Sequence, residues 1–275
     1  MKKGKIRNKV IIHTLLIIGA IIMIMPFVWM CLTSIKTLTE SVAVPPILFP
    51  SEPQWGNFPE ILTKLPFDAF YINTLLMIVG RVVFALVFSS MAAYAFARLD
   101  FPFKNFLFSV VLVQLMIPPQ IFIAPQFLLA QQLGILDSVS GLILPGLVSA
   151  FGTFLLRQFF MGLPDELEEA AILDGCNQGQ IFTRIMLPLA RSGLVALGIF
   201  TALFAFKDLM WPLIVNISED KMPLSAGLAT LQGQYTTNYP ELMAGSFLAI
   251  WPILLIFIIF QRKFIEGIAT SGGKL

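Results

Sequence analysis

Runs of about twenty apolar residues recur along this chain, each long enough at 1.5 Å rise per residue to cross the roughly 30 Å hydrocarbon core of a bilayer. They fall at 10–32, 71–96, 106–129, 141–160, 194–214 and 242–260. In lipid every backbone amide must find its partner inside the segment, so such runs fold as helices. The expected fold is an all-α membrane protein with six transmembrane helices. Composition agrees, with 57% of the 275 residues hydrophobic and 12% charged, against about 25% charged in an average soluble domain. Little remains for a separate water-soluble core, and residues 1–275 read as a single domain with its core at 71–262.

The first run follows Lys2, Lys3, Lys5, Arg7 and Lys9, a flank that also suits a secretory signal. It is longer than a usual signal core and no small-residue cleavage pattern follows it, so a retained helix is expected. An even number of spans puts both termini on one side. With the amino terminus in the cytoplasm, the inner side collects those five cations and Arg98, Lys104, Arg157, Arg184, Arg191, Arg262, Lys263 and Lys274. Only Lys36, Lys64, Lys207 and Lys221 fall outside, with Arg81 within a span, so the positive-inside rule selects this orientation. The two cysteines, Cys31 and Cys176, then lie on opposite sides and cannot pair.

Pro118, Pro119 and Pro125 remove backbone donors from the third run, which should be broken or kinked there. The freed carbonyls need protein or water, a condition that a helix opened beside an aqueous path satisfies. Two outer loops are sizeable, a proline-rich one at 33–70 and a polar one at 216–241. No internal repeat is evident, which weighs against transporters built from inverted halves.

The inner loop at 161–191, MGLPDELEEAAILDGCNQGQIFTRIMLPLAR, is the most informative segment. Pro164 suits a first helical turn, Asp165 and Glu166 complement the helix dipole, and Gly175 suits a left-handed end. A short helix over 164–174 is predicted. Leu163, Leu167, Ala170, Ala171 and Asp174 recur at helical spacing on an apolar face, with Glu168 and Glu169 on the opposite, acidic one. A second helical stretch over 178–186 then runs to Pro188, which turns the chain back toward the membrane. An amphipathic helix lying on the bilayer normally carries basic residues. An acidic face instead favours a protein partner with basic residues.

Glu169-Ala170-Ala171, three residues, Gly175, nine residues, Ile185, one residue and Leu187-Pro188 resemble the EAA loop of bacterial ABC importer permeases, gap lengths included. The stretch Ala92-Ala93-Tyr94-Ala95-Phe96-Ala97-Arg98-Leu99 and the ending Gln261-Arg262-Lys263-Phe264-Ile265-Glu266-Gly267 resemble the maltose-type sugar permeases, so the likeness covers nearly the whole chain. One departure is Phe206-Lys207-Asp208, where that group often carries Trp-Asn-acid.

The resemblance implies a permease in the bacterial cytoplasmic membrane, importing a carbohydrate delivered by an extracellular binding protein. It also implies a second permease, a different chain in sugar importers of this type, and two cytoplasmic ATPases that hold the ATP and magnesium. This chain would bind no cofactor, metal or nucleic acid and would not hydrolyse ATP. Gly267 and Gly272 have the spacing of a phosphate-binding loop, but Gly273 stands where lysine belongs and Leu275 follows Lys274. The coupling set carried over comprises Glu169 as the polar contact to the ATPase, Ala170 and Ala171 as close-packing positions, Gly175 as the turn, and Asp174, Ile185, Leu187 and Pro188.

For the solute path, Gln114, Gln120 and Gln126 on the third run and Phe204, Lys207, Asp208 and Trp211 on the fifth offer amides, charges and rings that suit sugar hydroxyls and faces. The same residues also fit plain helix packing, and Trp211 an interfacial belt. Arg81 stands inside a span, where a cation is costly; pathway lining, snorkelling and a structural ion pair all remain open. His13 reads as structural. An importer of another solute, such as glycerol phosphate or a polyamine, fits the same loop. An ion-driven transporter would want buried midplane carboxylates, and a membrane-embedded enzyme clustered ligands; neither pattern stands out.

Overall fold

A computed structural model describes residues 2–233 and 237–272. Gly273, Lys274 and Leu275, weighed above in the charge count and the phosphate-loop test, lie outside them. The chain forms two compact units, Met1–Pro66 with Leu228–Pro252 and Phe67–Gly227 with Ile253–Leu275.

In the first unit, α1 (Lys2–Ser34) is apolar on all sides beyond Lys9, and none of its most hydropathic stretch is buried. The loop after it is organised by polar groups. Lys36, 1% exposed, donates from Nζ to the Ile47 carbonyl at 2.6 Å and lies 4.4 Å from the Trp29 ring centroid. Asn57, at the start of α2 (Asn57–Lys64), donates to the carbonyls of Ser34 and Lys36. Glu40 closes a clip by accepting from the hydroxyl and amide of Ser51 and from Thr37. The Ser51 hydroxyl foremost, then the backbone amides, hold the Glu40 carboxyl down at about 2, from an ordinary 4.5. The fold therefore favours the ionised form: its contribution is complete above pH 4.5 and is lost between there and about pH 2. Hydrogen exchange at the Ser51 amide is expected to lose protection across that window, earlier than the helical amides of α2.

The second unit is built on α3 (Phe67–Arg98), against which α7 (Ala150–Met161) and α10 (Arg191–Lys207) pack. Between them in sequence come α4 (Lys104–Met116), α5 (Ile123–Gln132), α6 (Val139–Ile143), α8 (Glu166–Leu173) and α9 (Gln178–Ile181); α11 (Met210–Val215) follows α10, and the residues of α12 (Tyr239–Gly272) are divided between the two units after Pro252. Without a hydrophobic drive between helices in lipid, close approach depends on small residues. Gly152 of α7 supplies it: a Cβ there would sit 2.6 Å from Ser89 Oγ and 3.0 Å from the Leu197 methyls. One buried cluster joins Tyr94, Leu156, Phe160, Ala171, Ile181, Met186 and Leu197. Another joins Met77, Ala130, Leu142, Trp211 and Val215.

Among the described residues, the stretch Lys9–Ser34 and α3 are each long and apolar enough to cross a bilayer, and three bent pairs raise this to five if each is one span. The last run lies within α12. The proline-rich third run breaks as expected, between Met116 and Pro119, with a bend of 105°. The fourth and fifth runs, each read as one segment, are also interrupted. In the fourth, Pro145 ends the first helical piece and Ser149 caps α7 by accepting from the Gly152 amide, with a 46° bend between them. In the fifth, α10 stops at Lys207 because Asp208 is extended, with ψ of 118°, and α11 resumes at Met210.

Candidate functional site

The helix α8 lies within two residues of its predicted ends. Asp165 occupies the N-cap position but makes no side-chain cap there, because its carboxylate pairs with Arg98. At the other end Gly175 has φ of +81°. The Gly175 amide donates to the Ile172 carbonyl and the Cys176 amide to the Ala171 carbonyl, both at 3.0 Å. This is a Schellman closure, which satisfies two otherwise orphaned carbonyls through a left-handed residue. Open space surrounds Gly175, so only the backbone penalises a side chain there. A Gly175→Val variant is expected to cost about 1–3 kcal/mol, read as lower protection of the amides of 175 and 176 in hydrogen exchange. A Gly175→Ala variant should show a smaller loss in the same direction.

Which face of α8 is buried differs from the amphipathic reading. Ala171 is buried, but Leu167 and Ala170 are exposed, and Glu168 turns inward rather than sharing an outer acidic face with Glu169. The Tyr94 hydroxyl of α3 lies 3.0 Å from Glu168 Oε1 and 2.7 Å from Gln178 Oε1, and its one proton is shared between these acceptors. Arg98, one turn further along α3, donates to the carbonyls of Phe160 (2.7 Å) and Leu163 (2.5 Å) and pairs with Asp165. A buried tyrosine and a guanidinium demand acceptors, and charge-assisted bonds outweigh the burial of one more leucine. The outer surface of α8 therefore carries Glu166, Glu169, Ala170, Ile172 and Leu173, the last 89% exposed. Tyr94 and Arg98, four residues apart, were not among the expected site residues; that spacing, beside a loop rich in carboxylates, is the signal that points to them.

Beyond Gly175, Asn177 and Gln180 form a reciprocal capping box that starts α9. The residues Phe182–Met186 then form a π-helical turn, in which Ile185 is half-buried, and Leu187–Leu189 a further turn, in which Leu187 is half-buried and Pro188 exposed. Pro188 has no amide to continue the α-helical ladder, and such a bulge is how a chain absorbs the missing bond. The stretch Gln178–Leu189 meets α10 at 76°, with the turn at Ala190. Asp174 is the exposed C-cap of α8.

The other candidates converge at the far end of α10. A cavity of about 550 Å³ is lined by Gln114, Gln120, Gln126, Lys207, Asp208 and Trp211, together with apolar residues of the broken third run such as Ile117 and Phe122. Phe204 is not in its lining; it is 60% exposed and stacks near Phe200. Arg81 stands behind the wall: its Nη1 donates to Asp208 Oδ2 at 2.8 Å and its Nε to the Leu142 carbonyl at 2.8 Å. Of the readings open for Arg81, the ion pair is the one observed. A Cβ on Gly146 would collide with the Arg81 side chain, so only glycine admits it. Trp211 is 3% exposed and its indole donates to the Gly141 carbonyl at 2.9 Å, which makes it a packing post and leaves little of its ring free for stacking on a ligand. Asp137 fixes the end of α11 by accepting from the amides of Ile217 and Ser218 and the Ser218 hydroxyl. The Ser218 hydroxyl and these amides hold the Asp137 carboxyl below its ordinary range.

The family described as binding-protein-dependent transport system inner membrane component matches residues 85–268. The chain is 39% identical to the arabinooligosaccharides transport system permease protein AraQ of Halalkalibacterium halodurans, over 98% of this chain and 99% of that one. It is 32% identical to the sn-glycerol-3-phosphate transport system permease protein UgpE of Pectobacterium atrosepticum, over 94% and 95%. Among solved structures, its fold is similar to a bacterial ABC transporter involved in import of the acidic polysaccharide alginate, with a TM-score of 0.78 at 22% identity, covering 95% of this chain and 98% of that one.

Proposed function

The chain belongs to the binding-protein-dependent transport system inner membrane component family, and from that premise we propose that it is a permease subunit of an ATP-driven ABC importer for a carbohydrate. It is a multi-pass protein of the cell membrane. In the proposed assembly its six helical segments cross the bacterial cytoplasmic membrane with both termini inside, and residues 1–275 act as one transmembrane domain. A second permease completes the path, a binding protein delivers the solute outside, and two ATPases bind ATP and magnesium inside.

The observation that carries the reading is α8, a short rod closed at its end and exposed along one side at Glu169, Ala170 and Leu173. Such a rod suits a groove on a moving partner. Force on it has two routes into the membrane domain: through the Tyr94 and Arg98 contacts into α3, and through the π turn and Pro188 into α10. The second route ends at Lys207 and Asp208, on the cavity wall. A displacement of α10 against an α11 pinned by Trp211 and Asp137 changes the shape of that cavity. Nucleotide-dependent contacts at α8 thus bias two arrangements of the path.

The carbohydrate rests on the AraQ relationship across nearly the whole chain, and three glutamine amides suit sugar hydroxyls. A glycerol phosphate cargo is the second reading, favoured by the UgpE relationship and by the exposed Lys207 in the cavity lining. The test is uptake into liposomes holding the purified complex with ATP inside. Arabinooligosaccharide uptake that needs ATP supports the first reading, and glycerol phosphate uptake the second. Uptake driven by an ion gradient without ATP contradicts both.

A further inference from the structure

We propose that another cavity of the Phe67–Gly227 unit binds the phosphate headgroup of an anionic phospholipid. It measures about 490 Å³ and lies where the loop from α3 to α4 meets α7, lined by Asp100, Lys104, Asn105 and Arg157 with Phe101, Phe103 and Phe106. Arg157 is set in place by its Nε, which donates to the Phe96 carbonyl at 3.1 Å, and by the Phe108 ring, 4.2 Å from its guanidinium carbon. Its two terminal nitrogens make no hydrogen bond among the described residues. A guanidinium fixed by its edge and face, with its fork open, is prepared for an oxyanion. Lys104 adds a second cation; its one acidic neighbour, Asp100, is 3.6 Å away and fully exposed, so solvent screens that pair.

Two further features choose a lipid over a soluble anion. Phe103 and Phe106 at the rim are 78% and 66% exposed, offering apolar contact just where acyl chains leave a headgroup. The orientation proposed above, on which this inference rests, puts the cavity at the inner face, where basic pockets between spans hold acidic headgroups. The importer reading gives the cavity no other task.

Native mass spectrometry of the intact complex in mild detergent tests it, with phosphatidylglycerol, phosphatidylcholine or inorganic phosphate added. The expected result is phosphatidylglycerol retained at least about tenfold better than phosphatidylcholine, and that preference reduced about tenfold in Arg157→Gln/Lys104→Gln. Lys104→Gln alone, which leaves the Arg157 contacts with Phe96 and Phe108 in place, should show an intermediate loss. Equal retention of the two lipids, or a preference unchanged in the variants, overturns the site. Inorganic phosphate displacing phosphatidylglycerol at equal concentration assigns the cavity to a free anion and overturns the lipid. ATP-driven uptake by the same preparations reads the importer assignment separately, so a failed lipid site and a failed importer reading are told apart.

Discussion

An Asp208→Asn variant is expected to lose about 3–5 kcal/mol of stability, the largest single effect in the membrane domain. Arg81 and Asp208 have side chains 8% and 22% exposed, and Arg81 Nη2 is already buried with no partner among the described residues. Removing the carboxylate charge leaves a cation in a low-dielectric site with only neutral acceptors, the Leu142 carbonyl and the asparagine amide oxygen, and breaking a buried ion pair costs that much. At roughly 2–4 °C per kcal/mol for a unit of this size, the midpoint of thermal unfolding in detergent should fall by about 10 °C. The double variant Arg81→Met/Asp208→Asn removes both charges and should recover most of the loss. A single variant as stable as the wild type, or a double variant no better than the single, would show that the pair is not what joins α3 to the break after α10.

Arg98→Gln is the second large effect, and it falls on coupling. The guanidinium binds two carbonyls and one carboxylate of the segment that carries α8, and each buried carbonyl left bare costs about 1–3 kcal/mol. With the rod loosened from α3, solute transported per ATP hydrolysed is expected to fall at least about tenfold, in the usual range of coupling free energies. ATPase turnover itself should persist. Arg98→Lys, which keeps the charge but not the fork, should recover part of the ratio. Tyr94→Phe, removing one hydroxyl, should act in the same direction more weakly. A ratio unchanged in Arg98→Gln would assign the force to the Pro188 route alone.

What could be read from sequence was local. The ends of α8, the left-handed Gly175 and the broken third run each follow from residues within one turn of the effect. So does the turn after Pro188, although the bulge it causes over Phe182–Met186 does not show in any hydropathy pattern. The interruptions at Pro145–Ser149 and at Asp208 were averaged away, since both runs remain apolar across the break. The Arg81–Asp208 pair spans a separation of 127 residues, and nothing near either residue names the other. Amphipathic spacing puts Glu168 on the outer face, because it counts apolar residues and ignores what a neighbouring helix asks for. Six of the eight residues suggested for the solute path line one cavity, while Phe204 stands outside it and Arg81 serves it from behind. Trp211 touches the cavity yet is held by its indole bond and burial.

The engagement of α8 by an ATPase is tested most directly with one cysteine at Leu173, in a chain whose Cys31 and Cys176 are replaced, within the purified complex. Maleimide labelling should be at least about tenfold slower in the assembled complex than in the isolated subunit, and a bifunctional reagent should join residue 173 to the nucleotide-binding chain. Equal labelling rates with no such crosslink would contradict the account.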